Sequence, residues 1–306
     1  MSADAGISIP DVDPHLLRTF LAVADTGSFS AAADRLRYTQ SAVSQQIAAL
    51  EADLRTPLLT RRPVTLTPAG KRLRHHASLL LVRLEAARAD VTRVIAPPGR
   101  LIVALTPLAW HPELAGALAR LRTESARLSA RLRIAGRDQV VASVATGEAD
   151  LGLADGFTAP SDPLRLPDAG AARAAGVTES PAVVAVPVDH PVARRRAVEL
   201  SDLADAYWID APDVAPFGRL PVDGLRPGLR YDGADVTVLT GLIAAGHGLA
   251  VLPEPAVAAH PGLAAVPIAV PRLVHRIELL RIPEQLTGGE PAARLAAMLN
   301  AGNESQ

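Results

Sequence analysis

Residues 28–67 read SFSAAADRLRYTQSAVSQQIAALEADLRTPLLTRRPVTLT, and this stretch decides the fold of the N-terminal part of the chain. Its spacing predicts two short helices joined by a tight turn at Arg37-Tyr38, followed by a basic hairpin at Arg61-Arg62-Pro63. Ser28 and Thr39 stand where the two helices would begin, and their hydroxyls can accept hydrogen bonds from N–H groups of the first turn. The pattern therefore predicts a helix-turn-helix with a hairpin attached.

The second predicted helix has two chemically different sides. The apolar side, at steps of four, three and four residues, consists of Val43, Ile47, Leu50 and Leu54. The opposite side carries only uncharged polar residues, namely Gln40, Ser41, Ser44 and Gln45. Amides and hydroxyls suit base edges in the DNA major groove, where Gln pairs with adenine and Ser with several bases. The alternative is a solvated helix face with no partner. The charge of the neighbouring residues is needed to choose between these two interpretations.

The charge around this helix favours a polyanion as partner. Between Arg35 and Arg74 there are eight basic and two acidic residues, in a chain whose formal net charge is only −1. The predicted hairpin is short enough to act as a wing on the phosphate backbone. We therefore predict that the polar helix face reads bases, and that Arg61, Arg62 and Thr67 hold phosphates of double-stranded DNA.

The same residues match a known family. From Leu16 to Gly70 the chain resembles the N-terminal winged helix-turn-helix of LysR-type transcriptional regulators. The matching residues are Phe20–Ala24, Gly27–Ala33, Leu36, Gln40–Ser44, Gln46-Ile47, Leu50-Glu51, Leu54, Leu58, Arg61 and Leu66–Gly70. Three positions depart from the family pattern: Gln45 replaces the usual Arg, Arg55 the usual Gly and Leu59 a common Phe. The resemblance implies a DNA-binding domain over residues 13–70.

A long helix is predicted after the hairpin, from Thr67-Pro68 to about Ile95. Its apolar residues recur at steps of four and three, as Leu73, Ala77, Leu80, Leu84, Ala87, Val91 and Val94. This heptad pattern favours a coiled coil with a second copy of the chain, over residues 68–95. The alternative is a helix that packs on its own domain. In the family this segment pairs two winged domains, which implies DNA with two half-sites and a homodimer or a dimer of dimers.

Ala96-Pro97-Pro98-Gly99 predicts a domain boundary, because two prolines end the helix and glycine permits a change of direction. The following segments alternate as strand, helix, strand, helix and strand, which predicts an α/β domain over residues 100–306 with a mostly parallel sheet. One helix is expected from Thr106 to about Thr123. Two chain crossings, near Ala182–Pro187 and Leu249–Pro253, divide this domain into two lobes. The first lobe would comprise residues 100–181 and 254–306, and the second residues 182–253.

This half resembles the two-lobe, periplasmic-binding-protein-like effector domain of the same family, through looser motifs. They are Gly147-x-x-Asp150-Leu151, Asp189-His190-Pro191 and the segment from Ala244 to Pro253. The resemblance implies that a small-molecule effector binds between the lobes and modulates activity. His190 is expected to stabilise a turn.

Ligands of open α/β lobes collect at the carboxyl ends of strands, beside helix N-termini. The residues expected at such positions are Thr106, Trp110, Asp210, Ala211 and Thr237. We expect a small carboxylate or polar metabolite there, although Thr106 can equally be a plain helix cap. Asp235 argues against a strongly anionic group at its own helix end.

Enzyme classes find no support in the sequence. The chain lacks cysteine, which excludes thiol nucleophiles, and it lacks the Gly-x-Ser-x-Gly, phosphate-loop, His-Glu-x-x-His and Gly-x-Gly-x-x-Gly motifs. His111, His260 and His275 have no acidic partner at metal-ligand spacing. We predict no catalysis, no cofactor and no metal. No apolar segment is long enough to span a membrane and the first twelve residues do not resemble a signal peptide, so a cytoplasmic location is expected. The alternative function is a solute-binding or sensor protein that does not bind DNA.

Overall fold

A computed structural model of the protein describes residues 12–95, 99–167, 170–220, 222, 224–283 and 290–303. The chain divides into two units, one up to Ala87 and one from Arg88 onward. Three residues of the predicted boundary, 96–98, and the first eleven residues lie outside the described part of the chain.

The first unit is a helix-turn-helix with a hairpin, as predicted. Its elements are α1 (Pro14–Thr26), α2 (Phe29–Leu36), α3 (Gln40–Asp53), β1 (Leu59–Arg61), β2 (Val64–Leu66) and α4 (Pro68–Val94), the last of which extends into the second unit. The predicted caps are confirmed, since Ser28 accepts a hydrogen bond from the N–H of Ala31 and Thr39 from that of Ala42. Short-range chemistry therefore sets these helix boundaries.

The core of this unit lies between α1 and the apolar side of α3. Phe20, Val43, Ile47 and Leu50 are fully buried in it, and Leu54 packs at its edge. The predicted apolar stripe of α3 is thus confirmed. Because this stripe faces inward, the polar side of α3 faces outward.

The apolar stripe of α4 serves two purposes. Ala77 is buried in the helix-turn-helix core, with Leu73 and Leu81 packed beside it. Further along the helix, Leu80 is 55% and Val91 73% exposed. The first turns of α4 therefore pack on their own domain, which was the alternative to a coiled coil, whereas Leu80 and Val91 remain accessible.

The second unit contains the remaining elements. They are β3 (Arg100–Leu105), α5 (Pro112–Glu124), β4 (Ser129–Ile134), α6 (Arg137–Ala145), β5 (Leu151–Thr158), β6 (Arg173–Pro187), β7 (Val198–Glu199), β8 (Tyr207–Asp210), β9 (Arg226–Arg230), α7 (Val236–Ala244), β10 (Ala250–Pro253), α8 (Glu254–Ala258), β11 (Leu263–Val270), β12 (Val274–Arg281) and α9 (Pro291–Asn303).

One mixed sheet organises this unit, with strand order β4-β3-β5-β12-β6-β11-β7 and with β10 also paired to β6. Strands β4, β3 and β5 are parallel, whereas β12 is antiparallel to β5 and β6, and β11 and β10 are antiparallel to β6. The prediction of a mostly parallel sheet holds for the first three strands, which are joined by crossover helices. The short pair β11–β7 is also parallel, and the remaining pairings in this sheet are antiparallel.

Strand β6 connects two lobes. Its first part, up to Pro181, pairs with β12, and its second part, from Ala182, pairs with β10 and β11. This exchange of partners lies where the first crossing was predicted. Strand β11, which the predicted boundaries assign to the first lobe, pairs with the second part of β6 and with β7. The return to the first lobe therefore follows Val270 and not Pro253.

The helix predicted from Thr106 to Thr123 is interrupted. Pro107–Ala109 form a single 3-10 turn, Trp110 and His111 are extended, and α5 begins only at Pro112. The reason is Pro112, since its ring disfavours helical geometry at the preceding residue. The sequence pattern does not predict α8 or the first half of β6.

Candidate functional site

The polar side of α3 is open to solvent. Gln40, Ser41 and Gln45 are exposed and Ser44 is half-buried. The next residue, Gln46, points into the domain, where its Oε1 accepts a hydrogen bond of 2.7 Å from the buried hydroxyl of Thr19 on α1. Two adjacent glutamines therefore have different roles, one available to a partner and one fixing α3 to α1.

The hairpin lies beside this surface. The guanidinium carbon of Arg61 is 5.5 Å from the ring centroid of Phe29, and its Nη1 is 3.5 Å from the Oγ of Ser44. Arg62 is exposed and has no hydrogen bond or ion pair with any described residue. The Thr67 hydroxyl donates to the carbonyl of Pro57 and accepts from the N–H of Gly70, so it caps α4. A phosphate contact of Thr67 stays a prediction.

The turn between α3 and the hairpin keeps a shape that normally needs glycine. Arg55, at the position where the family usually has Gly, has a φ of 50°. Glu51 then fixes the base of the hairpin, because its Oε1 accepts hydrogen bonds from the N–H groups of Leu58 and Leu59. The departure at position 55 therefore leaves the turn left-handed at the expense of local strain.

The residues predicted for effector binding are placed in different environments. The Thr106 hydroxyl is buried, donates to the Leu153 carbonyl and accepts from the N–H of Asp155, so it ties β3 to β5. Asp210 is paired with Arg230 at 2.9 Å, and Trp110 is exposed.

The two other predicted positions lie on the second lobe. Ala211 is buried in the second-lobe core, which Leu108 of the first lobe also joins. Thr237 is exposed, and its N–H donates to the capping carboxylate of Asp235. Leu108, in the turn after Thr106, and Ala211 therefore belong to the same hydrophobic cluster, which residues of both lobes form.

The N-terminus of α6 makes further contacts across the lobes. A side chain at Gly136 would place its Cβ 2.4 Å from the Oδ1 of Asp213. Asp138, two residues later, forms an ion pair of 3.0 Å with Arg219. Phe157 packs against the second-lobe core around Trp208, and the gap left there has a volume of about 10 Å³. This gap holds about one water molecule, so the lobes are in contact at this point.

A buried polar cluster lies under this contact. Asp155 and His275 are both buried, with the Oδ2 of one 3.0 Å from the Nε2 of the other. The Arg137 guanidinium lies over Gly156, whose missing Cβ would be 2.2 Å from the Nη2 of that guanidinium. Burial lowers the pKa of Arg137, while the nearby Asp155 carboxylate opposes that change. Sequence spacing could not reveal the partner of His275, because Asp155 is 120 residues away.

Glu278 completes the cluster. It is buried, and its Oε1 accepts hydrogen bonds from the N–H of Leu164 at 2.9 Å and the Nε of Arg276 at 3.0 Å. The expected role of His190 is confirmed, since its Nδ1 accepts from the N–H of Val192 in a turn. Within the described ranges, no three His, Asp or Glu side chains are grouped to hold a metal ion, and no helix is suited to cross a membrane.

Two family models match the chain and together cover most of it. Residues 14–71 match the bacterial regulatory helix-turn-helix protein of the lysR family, and residues 96–300 match the LysR substrate binding domain. The chain belongs to the LysR family. It is a LysR-type DNA-binding transcriptional regulator with a substrate-binding domain.

Curated relatives of this LysR-type regulator are themselves regulators. BudR of Raoultella terrigena is 31% identical over 260 residues, which cover 78% of this chain and 83% of that protein. IlvY of Escherichia coli is 30% identical over 253 residues, covering 79% and 82%. The match to CysL of Bacillus subtilis, at 29% identity, spans 63% of each protein.

Solved structures of similar fold include full-length proteins. BenM has a TM-score of 0.51 at 23% identity, covering 96% of this chain and 97% of that one. CbnR, solved in complex with its target DNA, has a TM-score of 0.51 at 22% identity, covering 95% and 99%. The LysR-type fold therefore extends over both units of the chain.

Proposed function

We propose that this regulator recognises its DNA by placing α3 in the major groove of a duplex, with residues 13–70 as the DNA-binding domain. One observation carries the proposal. Gln40, Ser41 and Gln45 are exposed, while Val43 and Ile47 on the other side of the same helix are fully buried. The uncharged polar face is therefore presented to any approaching duplex. CbnR, whose structure contains its target DNA, supports this mode by its similar fold.

The linker helix, over residues 68–95, pairs two copies of the chain. Leu80 and Val91 are largely exposed on α4, and water-exposed apolar residues at heptad spacing favour an identical partner helix. Two DNA-binding domains held in this way read two half-sites of a promoter or operator. A protein that works on chromosomal DNA is expected in the cytoplasm.

The substrate-binding domain, over residues 100–306, binds a small-molecule effector between its lobes. We place this effector at the N-terminus of α6 and beside Ala211, where the lobes meet. At Phe157 the lobes leave room for only about one water molecule, so an effector that extends to this point separates the lobes. The exposed ion pair between Asp138 and Arg219 opens in that step. A shift in lobe position is then the signal that alters DNA binding.

The experiment is a selection of duplexes from a random-sequence DNA library by the purified full-length protein. We expect enrichment of one sequence with two related halves, and a mobility shift with the DNA upstream of the gene. A protein that enriches no sequence, yet gains thermal stability with a metabolite from a panel, would be the solute-binding sensor instead. Thermal stabilisation by the metabolite that is lost in Asp138→Arg, an exposed position at the N-terminus of α6, with the melting temperature of the free protein and its DNA binding kept, supports the effector position.

A further inference from the structure

Arg61 and Arg62 are adjacent, equally charged and both exposed, yet their surroundings differ. The Arg61 guanidinium lies over Phe29, with its carbon 5.5 Å from the ring centroid, and its Nη1 is 3.5 Å from the Oγ of Ser44. Arg62 has no hydrogen bond or ion pair with the part of the chain that the structure describes. Only one of the two arginines is held in a defined place.

Phe29 provides a fixed support for Arg61. It is the first residue of α2, directly after the capping Ser28, and it packs against the core of the helix-turn-helix. The face of an aromatic ring attracts a guanidinium, and a side chain held in this way loses less entropy when it binds a partner. Arg61 is therefore oriented toward α3 before any DNA arrives.

Helix α3 itself contains no basic residue between Gln40 and Asp53. The guanidinium held at its polar face comes from the hairpin, beside Ser44. A bidentate contact of Arg with guanine is the commonest specific contact in the major groove, whereas a phosphate contact needs charge but little orientation.

We propose that Arg61 is a specificity-determining residue that reads a guanine next to the base facing Ser44, and that Phe29 is its positioning residue. Arg62 contacts phosphate only. This inference rests on the proposed placement of α3 in the major groove. It assigns to Arg61 a different role from the phosphate contact that the sequence predicts.

The test compares Arg61→Gln with the matched variant Arg62→Gln on two duplexes of equal length, the one selected by the wild-type protein and one of random sequence. We expect Arg61→Gln to lose about tenfold in affinity for the selected duplex and much less for the random one. Its own selection should become degenerate at one base pair of each half-site. Arg62→Gln should weaken both duplexes alike and lower the salt slope of binding by about one.

Phe29→Leu tests the positioning role, because it keeps every charge and removes the ring. It should lose affinity for the selected duplex as Arg61→Gln does, with an unchanged salt slope. Phe29→Tyr should keep wild-type affinity, and thermal melting of each variant identifies any that fails to fold. The inference would be overturned if Arg61→Gln lost equal affinity for both duplexes, or if folded Phe29→Leu kept wild-type specificity. Either result would leave the proposed function intact. Failure of the wild-type protein to select any sequence would overturn the proposed function with it.

Discussion

Arg93, in the last turn of α4, and Asp150, directly before β5, form an ion pair with Nε and Oδ1 3.2 Å apart. The other carboxylate oxygen of Asp150 accepts a hydrogen bond of 2.7 Å from the N–H of Ile102 on β3. The two side chains are only 16% and 7% exposed. The end of the linker helix is thus bound to β3 and to the start of β5, the two strands that lead to Thr106 and Asp155.

Asp150→Asn is expected to lower the free energy of unfolding by about 2 kcal/mol, because it leaves a poorly exposed Arg93 without its main partner. Asp90→Asn is the matched control. Asp90 also pairs with Arg93, at 3.1 Å, but it is 57% exposed, so its loss should change stability by less than about 0.5 kcal/mol. Urea denaturation of the two variants gives the comparison. Equal changes would show that burial does not strengthen the Asp150 pair.

Gln46→Ala is expected to lower the free energy of unfolding by about 1 kcal/mol, since it leaves the buried Thr19 hydroxyl without its acceptor on α3. Gln45→Ala, one residue earlier and exposed, should leave stability unchanged. Thermal denaturation followed by circular dichroism distinguishes the two. A larger loss for Gln45→Ala would mean that the two glutamines have been assigned to the wrong sides of the helix.

Arg55→Gly is expected to raise the free energy of unfolding by about 0.5 kcal/mol. The backbone at Arg55 is left-handed, with a φ of 50°, and glycine removes that strain. Glycine also raises the entropy of the unfolded chain, which offsets part of this gain in stability. Arg35→Gly, within α2, should instead lower it by about 1 kcal/mol. Chemical denaturation of both variants is the measurement, and a destabilised Arg55→Gly protein would remove the strain argument.

Leu80→Glu combined with Val91→Glu is expected to convert the assembled protein into monomers, because each carboxylate would be buried without a partner in a paired helix. His75→Glu, exposed on another side of α4, is the control and should leave assembly intact. Sedimentation velocity reports the mass of each species. An unchanged mass in the double variant would place the self-association elsewhere.

The sequence predicts elements well where the deciding chemistry is local. Ser28 and Thr39 cap their helices within three residues, and the apolar stripe of α3 depends on spacing alone. A single proline, Pro112, was enough to interrupt the helix predicted from Thr106 to about Thr123. Such local effects are readable from sequence in principle, because proline restricts the backbone of the residue before it.

Contacts between distant residues could not be predicted. Asp150 and Arg93 are 57 residues apart, and His275 and Asp155 are 120 residues apart, so only the folded sheet brings them together. The position of Arg61 over Phe29 depends in the same way on how the hairpin folds back. The candidate base-reading residues could be predicted from the sequence pattern, but the contacts that position Arg61 beside them could not.

The central claim is that the uncharged face of α3 reads base sequence. The most direct measurement is the affinity of Gln45→Ala for the selected duplex and for a random duplex, by fluorescence anisotropy at one salt concentration. We predict a loss of about 1–3 kcal/mol on the selected duplex only, with relaxed preference at one position of the site. Equal losses on both duplexes, or no loss on either, would contradict the account.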